Sequence, residues 1–428
     1  MRRVVAVILD GLRRDFVRPD TTPHLARFKE RCQWFAAHRS MAPSVTRVCS
    51  SSFATGCLPM RHEVEGNTLA LVEDGRFAVH DVGQPGFFAH KRRVTGRSLA
   101  APTLAERLHN HGGAVLFSNV SPGAAYAHDP DGHGFVYHRA GSFGPGGKPV
   151  APERALGIGP DITGDRIMAE RFVAETLTAH EPAFALIWLG HPDTTQHAVP
   201  LGSPEHLAAL KSADEHVALV IDAVDRLRAA GDDVLLLVGS DHGHQTVHSV
   251  VDVEAETAKL GYADAITAND LIIVPNGTSV LVYASEAGRP LVPQLTERLA
   301  AQPWVGEVLA GSALARIGQT ERRGLALFLS LTADHEVNAF GVPGRSYAAK
   351  PRGGKADRLG CGQHGGLGTY EQSPVLAIEG SGFTAGAAVD HPSSLIDIAP
   401  TVLCHLDLPS NGMDGRSLQN PPAMELFR

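Results

Sequence analysis

Five short apolar runs set the pattern of this chain, and each stops on polar residues. They are VVAVILDG (4–11), GAVLFSNV (113–120), FALIWLGHPD (184–193), DVLLLVGSDHGH (233–244) and SPVLAIEG (373–380). Such a run offers no polar face to water. It suits a strand buried on both sides, as in a parallel sheet covered by helices. The segments between supply the helices. In SPEHLAALKSADEHVALVIDAVDRLRAAG, residues Leu207, Leu210, Val217, Val220, Ile221, Val224 and Leu227 repeat at helical spacing. Ser203 suits the N-cap, Pro204 the first turn and Gly231 the end. Strand, helix, strand in alternation predicts an α/β fold: a doubly wound, mostly parallel sheet flanked by helices.

Two regions break the alternation. Residues 121–165, rich in Gly, Pro and His, read as an irregular excursion near the strand ends. Residues 248–355 carry strands and helices of their own, including LIIVPNGTSVLVYAS, a hairpin around Asn276-Gly277. The expected organisation is a catalytic core of residues 1–247 and 356–428 with an inserted α+β cap at 248–355. A net charge of −8 with no basic stripe argues against nucleic acid as a partner. No run reaches the length of a membrane span. The first run is cut off at Asp10-Gly11, so it reads as a strand and not as a secretory signal. Five scattered cysteines with no CxxC pair read as reduced thiols, which predicts a cytoplasmic protein.

Ligands of open α/β sheets gather at the carboxyl ends of the strands. There the first run delivers Asp10, the third Asp193 and then His197, and the fourth Asp241 and His242. GCGQHGG places His364 just before the last strand. Each residue alone is an ordinary cap or turn residue. Together, three carboxylates and three imidazoles at one edge make a donor set for Zn²⁺ or Mn²⁺. Six donors exceed the need of one four-coordinate ion and suit two ions about 3.5–4 Å apart. The stretch APSVTRVCSSSFATG (42–56) reads as a helix ending at Gly56. A hydroxyl at its start, Ser44 or Thr46, would have backbone N–H groups and the helix dipole behind it, a setting that favours an anion. Ser50, Ser51 and Ser52 lie inside the helix and read as packing, as does Cys49.

The order Asp10, PSVT…ATG, PDTTQH, DHG and QHGG resembles the alkaline phosphatase superfamily. Within it the chain is similar to the type I phosphodiesterase/nucleotide pyrophosphatase branch, which also includes phosphonoacetate hydrolase. The resemblance runs from Asp10 to SLIDIAPTVLCHLDLP…MDGRSL. It implies an alkaline-phosphatase-like fold and a metal-dependent hydrolase of phosphodiester or phosphonate bonds. The spacing to Pro43, Thr55 and Gly56 places the family's nucleophile at Thr46. The family pattern then implies one metal on Asp193, His197 and His364, and a second on Asp10, Asp241 and His242 with Thr46 as a further ligand. The two ions would be Zn²⁺, with Mn²⁺ an alternative. Asn67, in a Gly-Asn pair, corresponds to an amide that donates to a phosphoryl oxygen. The N–H of Arg47 is expected to help it stabilise charge there.

Two features depart from the family. Arg47 stands where these phosphodiesterases carry an aromatic or apolar residue. A guanidinium favours a carboxylate, a phosphate or a second substrate charge, unless it turns to solvent or pairs with an acid. The lysine pair of phosphonoacetate hydrolase has no counterpart in LFSNVSPGAAYAHDP. The segment 127–148 either lines the pocket, with His128, Asp129, His133 or Arg139 on the substrate, or is a structural loop. The alternative activities are a phosphomonoesterase, which Arg47 would suit, and a phosphomutase, against which Thr46 argues. The expected partner is a small anionic phosphoester or phosphonate, with no nucleic acid and no membrane; a homodimer is left open.

Overall fold

In the computed structural model, which describes residues 1–352 and 358–419, the first apolar run forms β1 (Arg2–Leu9). Its side chains alternate between two separate cores: Val5, Val7 and Leu9 enter one, Val4, Ala6 and Ile8 the other. A strand that feeds apolar groups to both faces needs cover on both. The chain continues through β2 (Gln33–Phe35), helix α1 (Thr46–Thr55), the hairpin of β3 (Thr68–Glu73) and β4 (Arg76–Asp81), and helix α2 (Phe87–Thr95). Then come β5 (Ala114–Ser118), β6 (Phe135–His138), helix α3 (Ile162–Arg171), β7 (Phe184–Leu189), helix α4 (Pro204–Ala229) and β8 (Asp233–Gly239). A second hairpin, β9 (Leu271–Asn276) and β10 (Ser279–Ala284), and β11 (Leu376–Glu379) complete the parts that matter here.

Five strands lie parallel in the order β8-β1-β7-β5-β6. β11 runs antiparallel beside β8, and β2 antiparallel beside β11. Met168 of α3 and Leu210, Val217, Val220 and Val224 of α4 fill the core on one face. Val48 and Phe53 of α1 and Val402 of the helix Ile398–His405 fill the other. This is the doubly wound sheet expected. The Ser203 hydroxyl accepts the N–H of His206 at the start of α4. Leu207 stays 37% exposed, because the inner stripe of α4 runs through His206, Leu210, Ala213 and Val217. Residues 121–165 are more regular than expected. β6 joins the sheet, and residues 143–144 and 148–149 extend it to ten strands. Strands of two to four residues are too short to show a period.

Residues 248–352 build most of two further four-stranded sheets. In the first, Ile272, Val274, Leu281 and Tyr283 face a core shared with Leu69 and Phe87 of the β3–β4 hairpin and α2. Ile273, Val280 and Val282 face Leu295 and Leu299 of the helix Val292–Ala300. Residues 68–95 thus pack on this sheet, although they precede its strands by more than a hundred residues. The second sheet begins ahead of residue 248. Its strand Gln245–Val251 pairs with Pro343–Ala349 and, antiparallel, with Gly362–Gln363. That pairing sets residue 364 beside the end of β8. The expected boundary at 355/356 lies outside the described residues.

The β9–β10 hairpin turns at Gly277-Thr278, with Asn276 still paired to Ser279. Gly277 has φ +69°, and a Cβ there would lie 1.9 Å from the carbonyl oxygen of His364. The N–H of Thr278 donates to that same oxygen at 3.1 Å. The turn therefore rests directly on the His364 segment. Gly277→Ala is expected to cost about 1–3 kcal/mol through its left-handed backbone alone, with a further loss from the clash. Urea unfolding measures the first effect; weaker retention of zinc on dialysis reports the displacement of His364.

Candidate active site

β1 and β8 run parallel, so their carboxyl ends coincide. Asp10 follows the one and Asp241 the other. The N–H of Gly11 donates to Asp241 Oδ1 at 3.1 Å, and the Trp188 indole N–H to Asp10 Oδ2 at 3.1 Å. The other oxygens, Asp10 Oδ1 and Asp241 Oδ2, are buried without a hydrogen-bond donor. They lie 3.4 and 3.1 Å from His242 Nε2. His242 Nδ1 meets the carbonyl of Gly243 at 3.2 Å, which assigns the ring proton to Nδ1 and leaves a lone pair on Nε2. Thr46 Oγ1, at the first residue of α1, is 3.2 Å from that same Nε2. Burial, then the facing carboxylates Asp241 and Asp193, push Asp10 well above the usual carboxyl range. Burial likewise pushes Asp241 up to about 8 and His242 down to about 3. Lone pairs converging in a dry site, with only the Thr46 hydroxyl to donate among them, fit a divalent cation, which would reverse all three shifts.

The second group forms around Asp193, whose N–H donates to the carbonyl of Asp10 at 3.0 Å. Asp193 Oδ1 lies 2.8 Å from His244 Nε2, 3.3 Å from His197 Nε2 and 3.5 Å from His364 Nε2. The Nδ1 atoms of His197 and His364 face the carbonyls of Gly362 and Ser44 at 3.1 and 2.7 Å. Those carbonyls take the ring protons and turn both Nε2 atoms to one point. Burial acts to raise the Asp193 carboxyl, but His197 and His244 hold it well below its ordinary value. The rings of His242 and His364 stack at 3.6 Å and join the two groups. A cleft of about 790 Å³ opens over both, lined also by Thr46, Arg47, Asn67, Asp81 and Arg139.

The sequence matches the family of type I phosphodiesterases/nucleotide pyrophosphatases over residues 4–292. The chain belongs to this family. Murine ectonucleotide pyrophosphatase/phosphodiesterase 5 has the same fold, with a TM-score of 0.68 at 16% identity over 97% of each chain. An inactive threonine-to-alanine form of that murine protein, in complex with AMP, gives a TM-score of 0.67 at 16% identity and the same coverage. The fold is thus the alkaline-phosphatase-like one, and the chain is a hydrolase of the phosphodiesterase/nucleotide pyrophosphatase type. No curated protein matches the sequence.

In this chain the six acids and histidines at the strand ends meet in two groups. Ser44 is structural: its hydroxyl donates to the carbonyl of Gly366 at 3.1 Å. Ser50, Ser51, Ser52 and Cys49 are buried within α1. Arg47 lines the cleft and is half-buried, with its Nε buried without a partner. Its N–H was expected to face the substrate. It donates instead to Asn67 Oδ1 at 3.0 Å and so orients that amide.

His128 and Asp129 are placed differently from expectation: neither lines the cleft. The His128 ring packs against Phe53 and Trp188, with centroids 5.5 and 5.3 Å away. The Asp129 carboxylate accepts the N–H groups of His133 and Gly134 at 2.9 and 2.7 Å and closes its own loop. The backbone donors of a tight Gly-rich loop are its nearest partners. Arg139 does reach the cleft, held by the carbonyls of Asn119 and Val120 at 2.6 and 2.8 Å.

Two residues escaped the sequence reading. His244 closes the Asp193 group, and Gly11 and Gly362 make room for it: a Cβ at either would lie within 2.8 and 2.7 Å of its ring nitrogens. Its signal was the second histidine of DHGH, two residues after His242 and so at the spacing of one strand face. Asp165 on α3 has no local signal. Its buried carboxylate accepts from Asn119 Nδ2 at 2.8 Å and from the N–H groups of Gly190 and His191 at 3.2 and 3.0 Å. It fixes the turn that leads to Asp193.

His244→Ala is expected to weaken zinc retention about 10–100-fold, the usual cost of losing a group that orients a ligand. Chelator competition measures it; unchanged affinity would remove His244 from the centre. A pH effect also follows for the metal-free protein. The raised Asp241 carboxyl contributes stability that is complete below the ordinary carboxyl range and is lost as pH rises through about 8. The buried histidines with lowered values are already neutral in both states above pH 7. Asp241 alone should therefore cost the metal-free protein about 1 kcal/mol between pH 7 and 8, with the raised Asp10 acting in the same direction, and saturating zinc should abolish the loss.

Proposed function

We propose that the protein hydrolyses a phosphodiester or phosphonate bond through attack of Thr46 Oγ1 on phosphorus, with a phospho-threonine intermediate. The observation that carries this reading is the placement of Thr46. Its hydroxyl stands at the N-terminus of a ten-residue helix, 3.2 Å from His242 Nε2 and beside the donor-less oxygens of Asp10 and Asp241. Asp10, Asp241 and His242, with Thr46, would hold one divalent ion. Asp193, His197 and His364, with His244 beside them, would hold the other. Mixed carboxylate and imidazole donors suit zinc, with manganese the alternative. Bound there, such ions would favour the alkoxide form of the hydroxyl and offset charge on the leaving oxygen.

The chain's own groups do the rest. The threonine oxygen bonds to phosphorus, the P–O bond to the ester alcohol breaks on the opposite side, and the hydroxyl proton ends, in net, on that departing oxygen. The N-terminus of α1 faces the developing charge. With Oδ1 engaged by Arg47, Asn67 has its NH₂ left to donate to a non-bridging oxygen. Water then releases a phosphate monoester, or the phosphonate where the substrate is a phosphonate ester, and restores the Thr46 hydroxyl. The cleft has room for a substrate of nucleotide size, and the murine relative is described with AMP. The expected partner is a small anionic phosphoester or phosphonate. All five cysteines are free thiols, which supports a reducing, cytoplasmic setting. Among the described residues no helix is long and apolar enough to cross a membrane.

Arg47 favours a second reading, a phosphomonoesterase. A half-buried guanidinium beside Thr46 suits a substrate with an extra negative charge. Rates on bis-p-nitrophenyl phosphate, p-nitrophenyl phosphate and p-nitrophenyl phenylphosphonate, with zinc and with manganese, separate the two. A monoester rate far above the diester rate would replace the first reading with the second. Thr46→Ala should lower turnover by on the order of a thousandfold or more; full turnover would dismiss the nucleophile. Arg47→Ala should raise KM about 10–100-fold for substrates with a second anionic group, and change simple diesters little.

A further inference from the structure

A second set of metal-binding side chains lies outside the cleft, on the hairpin and helix that flank it. β3 contributes Glu73, β4 His80 and α2 His90. The Nε2 atoms of both imidazoles converge on one carboxylate oxygen, Glu73 Oε1, at 2.5 and 2.9 Å. The ring centroids of the two histidines are 4.6 Å apart. One donor atom from each of the three residues lies within 4.8 Å of the other two. Ligands about 2.0–2.1 Å from a tetrahedral zinc sit roughly 3.3 Å from one another. An ion therefore needs these donors to part by only a few tenths of an ångström to about one.

We propose that Glu73, His80 and His90 form a further divalent-metal site, of the two-histidine, one-carboxylate type that takes zinc, and that it braces one wall of the cleft. The three side chains are 24–30% exposed, so an ion reaches them from solvent and keeps a position for water. Without an ion the pair of imidazoles spends two N–H groups on a single oxygen. Arg93, on the solvent side, approaches His90 Nδ1 at 3.4 Å and swings aside when that nitrogen carries the proton.

The consequence lies in what the three elements carry. β3 starts directly after Asn67, and β4 ends at Asp81; both residues line the cleft. The N–H of Val82 donates to the carbonyl of Asn67 at 2.9 Å, which ties the two ends together. Asp81 in turn holds the N–H of Gly83 at 2.7 Å, beside the Arg47 guanidinium. One ion would cross-link β3, β4 and α2 and fix this wall against the cap sheet it packs on. The site makes no assumption about the reaction in the cleft.

The test is a count. The full chain is stripped with chelator, titrated with zinc alone, dialysed and analysed for bound metal. The His80→Ala/His90→Ala protein should retain one equivalent fewer than the parent, whatever number the cleft holds. Its melting temperature should also lack the rise that the parent shows on adding that last equivalent. Equal stoichiometry in the two proteins overturns the proposal. If the double variant fails to fold, Glu73→Gln, which keeps an acceptor for both imidazoles, is read in the same way: a retained equivalent weakened at least tenfold supports the site, and unchanged binding overturns it.

Discussion

Asp10 and Asp241 lie side by side because β1 and β8 run parallel, and both carboxylates are 1% exposed or less. Folding alone makes this arrangement unfavourable. Each carboxylate has one oxygen satisfied by a fixed donor and one that faces only lone pairs. Removing such a group from water without a partner costs several kcal/mol. The sheet supplies the means to tolerate it. Two cores, one on each face of β1, clamp the strands, and the strand ends then have no freedom to splay the acids apart. The site is thus strained in its electrostatics and held in its geometry, which is the condition for binding a cation without reorganisation.

The rest of the centre is built to meet that point. His364 comes from the far end of the chain and is fixed by three separate constraints. The strand Gly362–Gln363 pairs with Gln245–Val251, Ser44 O receives its ring proton, and the Gly277 turn supports its backbone. Glu371 joins these parts. Its buried carboxylate accepts the N–H groups of Gly366 and Gly368, each at 2.9 Å, and the hydroxyl of Thr278 at 2.5 Å. The hydroxyl of Ser44 reaches it at 3.3 Å. The loop before Thr46, the His364 loop and the β9–β10 hairpin are therefore tied to one another. That hairpin is part of what positions His364.

Most of this was legible where chemistry follows from local pattern. Apolar runs marked the buried strands, and the acids at their ends marked the site, because a parallel sheet brings all its carboxyl ends to one edge. The helix start separated Thr46 and Ser44 from Ser50, Ser51 and Ser52, and only the resemblance to the family chose Thr46 between the two. What stayed hidden depends on partners far along the chain. Asp165 is an unremarkable helix residue until it meets Gly190 and His191. The β3–β4 hairpin gives no hint that it packs on strands two hundred residues later. His128, Asp129 and Arg139 have equal claims in sequence. Only the return of the loop beneath α1 decides that the first two are internal and the third faces the cleft.

Arg47 shows how specificity can be added to such a centre without disturbing it. Its backbone and side chain serve different purposes. The N–H fixes the Asn67 amide, a role open to almost any residue, and so leaves the side chain unconstrained by the phosphoryl geometry. The guanidinium lies by Gly83, where a Cβ would come within 2.5 Å of it, and within the influence of Asp81, Asp10 and Asp193. Burial pulls its value down while those acids act to raise it, so the charge is kept in the cleft chiefly by Asp81, with Asp10 and Asp193 behind it. Ions bound at the strand ends would offset the pull of Asp10 and Asp193 but not that of Asp81. The guanidinium would then keep one counter-charge in place of three, and an anionic group on the substrate would replace what the ions remove.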